Sequence, residues 1–351
     1  MGAPIENIKI WTDITADMII DVRSPAEFEE DHIPGAINMP VLDNEQRAEV
    51  GTIYIQESAF KARRYGGALV AQNISHHILA SLQDKSADFK PLIYCWRGGQ
   101  RSNSFAKICS DIGWKSYILD GGYKAYRKHV LSELESLSSH IKPILISGAT
   151  GTGKTRLLQH IKNQGGQILD LEALANHRGS LLGLKPGETQ PSQKLFESDI
   201  LFKIKQLNLK NNVFIEAESS KIGELQIPQM LFKIMKKAPI IELNMSIQER
   251  AKYLLEDYLY LQEHPQSLYR LFEAMKYRHG SEKTSFWRTL AEDKKWHELT
   301  IDLIICHYDP AYKGSSIRKQ RVIDMTVSVD SYNQDEFKNA ARNIIENYIS
   351  T

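Results

Sequence analysis

The sequence predicts two consecutive α/β units, each a parallel sheet covered by helices, the second ending in a largely helical carboxy-terminal part. Three observations carry this expectation. Short apolar runs alternate with helical patterns from the amino terminus to about Val130. The alternation restarts at Ile144, around a glycine-rich loop. From about Leu255 to Cys306 the pattern turns mainly helical and rich in aromatic and basic residues. Strands that alternate with helices pack as a sheet covered on both faces. Size agrees, because 351 residues of 42% hydrophobic composition can bury more than one core.

In chain order, Met18-Ile19-Ile20-Asp21-Val22 reads as a buried strand, as do Leu92-Ile93-Tyr94 and Ser116-Tyr117-Ile118-Leu119. Ser24-Pro25-Ala26-Glu27 joins a capping box to a proline at the first helical position, so a helix opens there. The stretch from Leu131 to His140 reads as a helical exit and a polar joint. It sets a first domain at 8–130, a linker at 131–141 and a second domain at 142–351. Beyond the joint come a strand at Ile144-Leu145-Ile146, the glycine-rich loop and a helix from Thr155 to Ile161. Further strands are expected at Gln167-Ile168-Leu169, Val213-Phe214-Ile215 and Ile240-Ile241-Glu242-Leu243. Ser246-Ile247-Gln248-Glu249 is a second capping box, opening a helix through Tyr253, Leu254 and Leu255.

Composition removes several function classes. A net charge of +1 gives a weak overall field, so any nucleic-acid partner needs a local basic patch. No apolar run is long enough to span a membrane, and Met1-Gly2-Ala3-Pro4-Ile5-Glu6 lacks a signal-peptide core. Cys95, Cys109 and Cys306 form no Cys-x-x-Cys pair, which indicates neither a disulfide framework nor a zinc site. A reduced, cytoplasmic, monomeric protein is expected, with no tightly bound cofactor.

Two motifs carry chemistry. In Tyr94-Cys95-Trp96-Arg97-Gly98-Gly99-Gln100-Arg101-Ser102, a cysteine sits between a buried strand and a helix. Free backbone N–H groups and the positive end of a helix dipole converge at such a point. They lower a thiol pKa and make Cys95 a nucleophile. Gly98 and Gly99 let the loop curl its amides inward, while Arg97 and Arg101 add charge for an anion. Cys109 and Cys306, in apolar surroundings, read as small core residues.

The second motif is Gly148-Ala149-Thr150-Gly151-Thr152-Gly153-Lys154-Thr155, between a strand and a helix. Amides around Gly148, Gly151 and Gly153 can turn toward phosphate oxygens, Lys154 adds a positive charge, and Thr155 is a candidate Mg²⁺ ligand. Glu216 and Glu218 close an apolar strand where they can organise a metal, serve as a base or be simply solvated. His177 and Arg178, in Asn176-His177-Arg178-Gly179-Ser180, form either an anion clamp or an ordinary turn.

Asp21-Val22-Arg23-Ser24-Pro25-Ala26-Glu27-Phe28, His32-Ile33-Pro34-Gly35-Ala36-Ile37-Asn38, the Cys95 loop and Leu119-Asp120-Gly121-Gly122 follow one another as in rhodaneses. Residues 8 to 130 therefore resemble a rhodanese-like domain, which implies a chalcogen carried on Cys95. The loop departs from the shorter single-domain rhodanese loop and reads Cys-x-x-x-x-x-Arg. That spacing also suits dual-specificity phosphatases of the same fold, and equally a bulkier donor such as selenophosphate.

A rhodanese-like domain followed by a P-loop NTPase-like α/β domain resembles the bacterial tRNA 2-selenouridine synthases. Glu49-Val50-Gly51-Thr52-x-Tyr54, His177-Arg178-Gly179-Ser180, Ile215-Glu216-Ala217-Glu218-Ser219 and His307-Tyr308-Asp309-Pro310 extend the likeness over nearly the whole chain. The resemblance implies replacement of sulfur by selenium at the wobble 2-thiouridine of tRNA. Geranyl diphosphate would first alkylate the sulfur, and selenophosphate would then supply selenium through Cys95. It also implies the glutamate, lysine and glutamine tRNAs as acceptors and a selenophosphate-supplying enzyme as partner.

Candidate RNA contacts lie in three clusters: Arg63 and Arg64 in Lys61–Tyr65, Arg318, Lys319 and Arg321 in Lys313–Arg321, and Arg278 in the aromatic helical stretch. Rings beside cations suit a splayed loop of RNA, although each cluster also reads as a solvated amphipathic surface. Two competing functions remain at this point: a P-loop kinase of a small metabolite with a rhodanese- or phosphatase-like partner domain, and a non-catalytic RNA-binding or sulfur-relay adaptor.

Overall fold

The computed structural model describes residues 2–178, 183, 187–314 and 323–348. The chain divides into two compact units, Met1–Leu134 with Pro191–Phe202, and Glu135–Gln190 with Lys203–Thr351.

The first unit is built on β1 (Ile5–Ile8), β2 (Met18–Asp21), β3 (Ile37–Asn38), β4 (Pro91–Tyr94) and β5 (Ser116–Leu119). They form one sheet in the order β1-β5-β4-β2-β3, every neighbouring pair parallel. The central strands β4 and β5 are buried along their whole length, as expected of parallel strands covered on both faces. Helix α1 (Pro25–Glu30) starts behind Ser24, whose N–H donates to the Glu27 carboxylate at 3.1 Å. Helices α2 (Asn44–Gln56) and α3 (Ala59–His77) are capped by Asp43, accepting from Gln46 N–H at 2.8 Å, and by Ser58, accepting from Lys61 N–H at 3.1 Å. Helix α4 (Gln100–Ile112) follows the cysteine loop and stops at Gly113. Its inner face brings Phe105, Ala106 and Cys109 into a core with Ile20, Val22, Ile93 and Ile118. Cys109 is fully buried there, and burial pushes its thiol up to about 12. Helix α5 (Gly122–Ser138) runs past Leu131, where the sequence suggests a polar joint, and through Ser138.

The second unit has β6 (Lys142–Ser147), α6 (Lys154–Asn163), β7 (Gln167–Leu169), α7 (Leu171–Leu174), the last turn of α8 (Gln193–Lys205) and β8 (Asn212–Glu216). Then come the short antiparallel pair β9 (Lys221–Ile222) and β10 (Leu225–Gln226), α9 (Gln229–Met235), β11 (Ile240–Asn244) and α10 (Ile247–Asp257). A helical run of α11 (Leu259–Glu263), α12 (Gln266–Glu292), α13 (Trp296–Leu303) and α14 (Asp309–Gly314) precedes β12 (Ile323–Ser328) and α15 (Gln334–Tyr348). The five-stranded parallel sheet has the order β12-β11-β6-β8-β7. Its core joins Ile146, Leu158, Phe214 and Leu243 to Phe337 and Ile344 of α15. The helical run has its own core around Phe272, Trp287 and Leu299, with Cys306 packed at its margin. Helix α12 is broken at Gly280, where φ is +79°. The beginning of α8 lies in the segment assigned to the first unit. There Glu197 pairs with Arg127, and Lys194 pairs with Glu30 at 2.5 Å.

Candidate active sites

In the first unit, β4 delivers Cys95 to the carboxyl end of the sheet, and α4 starts at Gln100. The sulfur is almost fully buried inside its loop. Gly99 N–H donates to Sγ at 3.2 Å, and Ser102 Oγ lies 3.3 Å away. Burial by itself drives this thiol up. The Ser102 hydroxyl, the Ser102 and Arg97 amides and the charge of Arg101 outweigh it and hold the pKa below the ordinary thiol value. The result is a buried but thiolate-favouring cysteine, the opposite of Cys109.

The loop is held from beneath. Tyr123 N–H donates to Cys95 O at 2.8 Å and Lys124 N–H to Trp96 O at 3.1 Å, so the start of α5 braces the loop backbone. Gly122, at φ +54°, makes this close approach possible, because a Cβ there would lie 2.2 Å from Cys95 O. Arg97 is exposed and available to an incoming anion. Arg101 is instead held by Glu27, with Nη1 and Oε2 at 2.8 Å. The arginine that the spacing offers to the anion therefore reaches it already paired.

In the second unit, β6 ends in the glycine-rich loop and α6 begins at Lys154. Gly153, at φ +79°, lies against Phe337; a Cβ there would come within 2.5 Å of that ring. A cavity of about 630 Å³ opens over the loop. Gly151, Gly153, Lys154 and Thr155 line it from below, with Glu172, Glu218, His177, Arg178, Tyr253 and Tyr258 around them. His177 and Arg178, read from sequence as a clamp or a turn, thus face the same cavity as the phosphate loop. Arg178 is paired with Asp257 at 2.7 Å and lies 4.8 Å from the centre of the Tyr258 ring. A second, smaller pocket shares Thr150, Leu254 and Tyr258 with the first and is lined otherwise mainly by Leu255, Leu261, Leu268, Trp296, Leu299, Leu303 and Tyr308. One wall is polar and the next apolar.

Residues 7–129 match the rhodanese-like domain family, and residues 141–278 match the family described as tRNA 2-selenouridine synthase AAA domain. The chain thus joins a rhodanese-like domain to a domain similar to the AAA domain of tRNA 2-selenouridine synthases. Proteins named tRNA 2-selenouridine synthase are 37% identical in Nitrosomonas europaea, over 69% of this chain and 63% of that protein, and 34% identical in Nitrosomonas eutropha, over 73% and 66%. The relative from Bdellovibrio bacteriovorus is 34% identical over 69% of this chain and 64% of its own length. The chain thus spans slightly less than two thirds of the curated relatives it matches.

Three carboxylates converge beside Lys154. One oxygen each of Glu172, Glu216 and Glu218 lies within 4.8 Å of the others. Glu216 is fully buried, and among the described residues neither of its carboxylate oxygens has a hydrogen-bond partner. Simple solvation, open to this strand-ending carboxylate on sequence grounds, does not apply to Glu216. Burial, reinforced by the neighbouring Glu172, pushes Glu216 up to about 8, and burial likewise raises Glu172 to about 8 and Glu218 to about 7. Lys154 responds in the opposite sense: burial lowers it, but the three carboxylates outweigh that and raise it. Three carboxyls whose burial resists ionisation fit a hard divalent cation, whose preferred ligands are oxygens and whose charge would hold them ionised.

Sequence reasoning missed Glu172, which lies just past β7 with no motif to mark it. It also missed Arg250. This guanidinium is buried, donates to Thr150 O at 2.9 Å and makes two contacts to Asp309, at 2.6 and 3.0 Å. Tyr312 Oη meets Ser147 Oγ at 2.8 Å, so α14 contacts the end of β6 directly and reaches the phosphate loop through the Asp309–Arg250 pair. Arg63, Arg64 and Arg278 are exposed. Gly179, Ser180, Arg318, Lys319 and Arg321 lie outside the described residues.

Proposed function

We propose that this protein converts 2-thiouridine of tRNA to 2-selenouridine in two steps, S-geranylation from geranyl diphosphate and then selenium transfer from selenophosphate. The observation that carries the reading is the paired pocket of the second unit. A phosphate-loop cavity with cationic and carboxylate walls shares Thr150, Leu254 and Tyr258 with an apolar pocket. An amphiphilic diphosphate suits that combination, whereas a nucleotide would place a polar base and ribose beside leucines.

In the first step the thiocarbonyl sulfur attacks the first carbon of the geranyl chain, and the carbon–oxygen bond to diphosphate breaks. Lys154 and the loop amides offset the charge that grows on the departing diphosphate. Thr155, Glu172, Glu216 and Glu218 would hold a divalent cation, which when bound adds further charge compensation. Arg250 fixes the Thr150 carbonyl, which keeps the loop amides aimed inward. Alkylation matters because sulfur then departs as geranyl thiol, a far better leaving group than sulfide.

In the second step selenophosphate held at the Cys95 loop attacks the activated pyrimidine carbon through selenium, and geranyl thiol leaves. Water then cleaves the phosphorus–selenium bond, releasing phosphate and 2-selenouridine. The lowered Cys95 pKa and exposed Arg97 suit a site that receives an anionic selenium donor. Digestion and mass spectrometry of 2-thiouridine tRNA after incubation with the protein tests the reading. Geranyl diphosphate alone should yield an S-geranyl adduct, and added selenophosphate should yield 2-selenouridine. Unchanged 2-thiouridine together with brisk ATP turnover in the absence of tRNA would replace it with the kinase reading.

A further inference from the structure

A stack of planar groups leads outward from the buried interior of the first unit to the flank of Cys95. Arg23 is fully buried and held by Asp21, with Nη2 and Oδ2 at 2.6 Å. Its guanidinium carbon lies 4.0 Å from the centre of the Tyr123 ring. The Tyr123 ring lies 5.2 Å from that of Trp96, at an interplanar angle of 31°. Tyr123 cannot swing away, because its hydroxyl donates to Asp31 at 2.9 Å. Trp96 is fixed through its backbone by Lys124 N–H. Of these three groups, Arg23 and Tyr123 are buried and Trp96 is only half-buried.

We propose that Trp96 is the platform on which the RNA base to be modified stacks, beside the sulfur of the adjoining residue. This rests on the reading of the substrate as an unpaired pyrimidine in an RNA loop. An aromatic side chain binds a flipped base by its face, whatever the edge chemistry, and one such contact carries a large share of single-strand affinity. Trp96 follows Cys95 directly and is the half-buried end of this column, so a base held on it is brought to the loop that carries the chalcogen. The ordered column beneath it means that the ring is pre-positioned and little freedom is lost on binding. Exposed Arg97, the next residue, is placed to meet the phosphate of the same nucleotide.

The experiment measures binding of the full chain to a stem–loop RNA carrying 2-thiouridine in its loop, for wild type, Trp96→Ala and Trp96→Phe. The pH profile of Cys95 alkylation by iodoacetamide is followed alongside. Trp96→Ala should weaken binding about tenfold, and Trp96→Phe should regain most of it. The alkylation profile should not move, because the loop is braced by Tyr123 and Lys124 backbone contacts. Equal binding by wild type and Trp96→Ala overturns the proposal. So does weakened binding with a shifted alkylation profile and no rescue by phenylalanine, which would assign Trp96 to loop packing. These results do not depend on turnover. Failure of wild type to make 2-selenouridine would sink the functional reading and leave the stacking result standing.

Discussion

Cys95 and Cys109 lie in the same unit, both buried, and their surroundings move them in opposite directions. The difference lies in who faces the sulfur. Cys95 meets a hydroxyl, backbone amides and an arginine that outweigh its burial, whereas at Cys109 burial outweighs the Ser116 hydroxyl and no arginine among the described residues contributes. Because the folded pKa of Cys95 is depressed, its thiolate persists as pH falls below the ordinary thiol range and is lost only below that shifted value. Iodoacetamide should therefore label Cys95 at lower pH than an ordinary thiol and leave Cys109 untouched; peptide mapping across a pH series reads this directly. Ser102→Ala removes one of the contacts that favour thiolate, so the labelling midpoint should move to higher pH. Glu216 makes a second residue-scale test. Glu216→Gln keeps the shape but removes an anionic ligand, so geranyl transfer should need more Mg²⁺, and a chelator should stop it in wild type. The Cys95 loop and phosphate loop were legible because backbone-based chemistry needs glycine, cysteine, lysine and threonine at fixed spacing. Glu172 and Arg250 were not, because their roles depend on a neighbouring strand or a distant helix that no local pattern announces. Nor could spacing reveal that Arg101 is paired with Glu27.

At the scale of elements, the strands read most easily were the central ones. Strands β4, β5, β6, β8 and β11 are nearly continuous apolar runs because helices cover both sheet faces. Of the four edge strands of the two parallel sheets only β7 was read; β1 is mostly exposed, β3 has two residues, and β12 alternates with mostly exposed side chains. Helix starts were legible for the same physical reason that they form, since Ser24 and Ser246 offer their helices a capping group. Helix ends were harder, and α5 runs on to Ser138 where a polar composition suggested a joint. Two elements invite tests. Gly122 begins α5 in the left-handed region, directly beneath Cys95 O. Gly122→Ala should cost ~1–2 kcal/mol from backbone conformation alone, with more from the clash, and the Cys95 labelling midpoint should shift. Urea unfolding measures the first and alkylation the second. Helix α10 tethers the phosphate loop through Arg250, which is bound on its other side by Asp309. Arg250→Ala strands a carboxylate and frees the Thr150 carbonyl. A loss of about 3 kcal/mol in unfolding free energy and a raised KM for geranyl diphosphate are expected.

For the whole molecule, the two α/β units and their order were legible from alternating patterns and a size that holds more than one core. What the patterns did not show is the inclusion of Pro191–Phe202 in the first unit, secured by Glu197 with Arg127 and Lys194 with Glu30. These are single polar pairs between residues far apart in sequence, invisible to any local periodicity. The central functional claim is a division of labour, with alkylation in the unit that holds Lys154 and selenium transfer in the unit that holds Cys95. Mass spectrometry of tRNA digests from Lys154→Ala and Cys95→Ala proteins, each given 2-thiouridine tRNA and, separately, pre-made S-geranyl tRNA, tests it most directly. The account predicts that Cys95→Ala still geranylates but forms no 2-selenouridine from either RNA. It predicts that Lys154→Ala loses geranylation at least ~100-fold, yet converts the pre-geranylated RNA with selenophosphate. Loss of both steps in both variants, or full 2-selenouridine formation in either from 2-thiouridine tRNA, would contradict it.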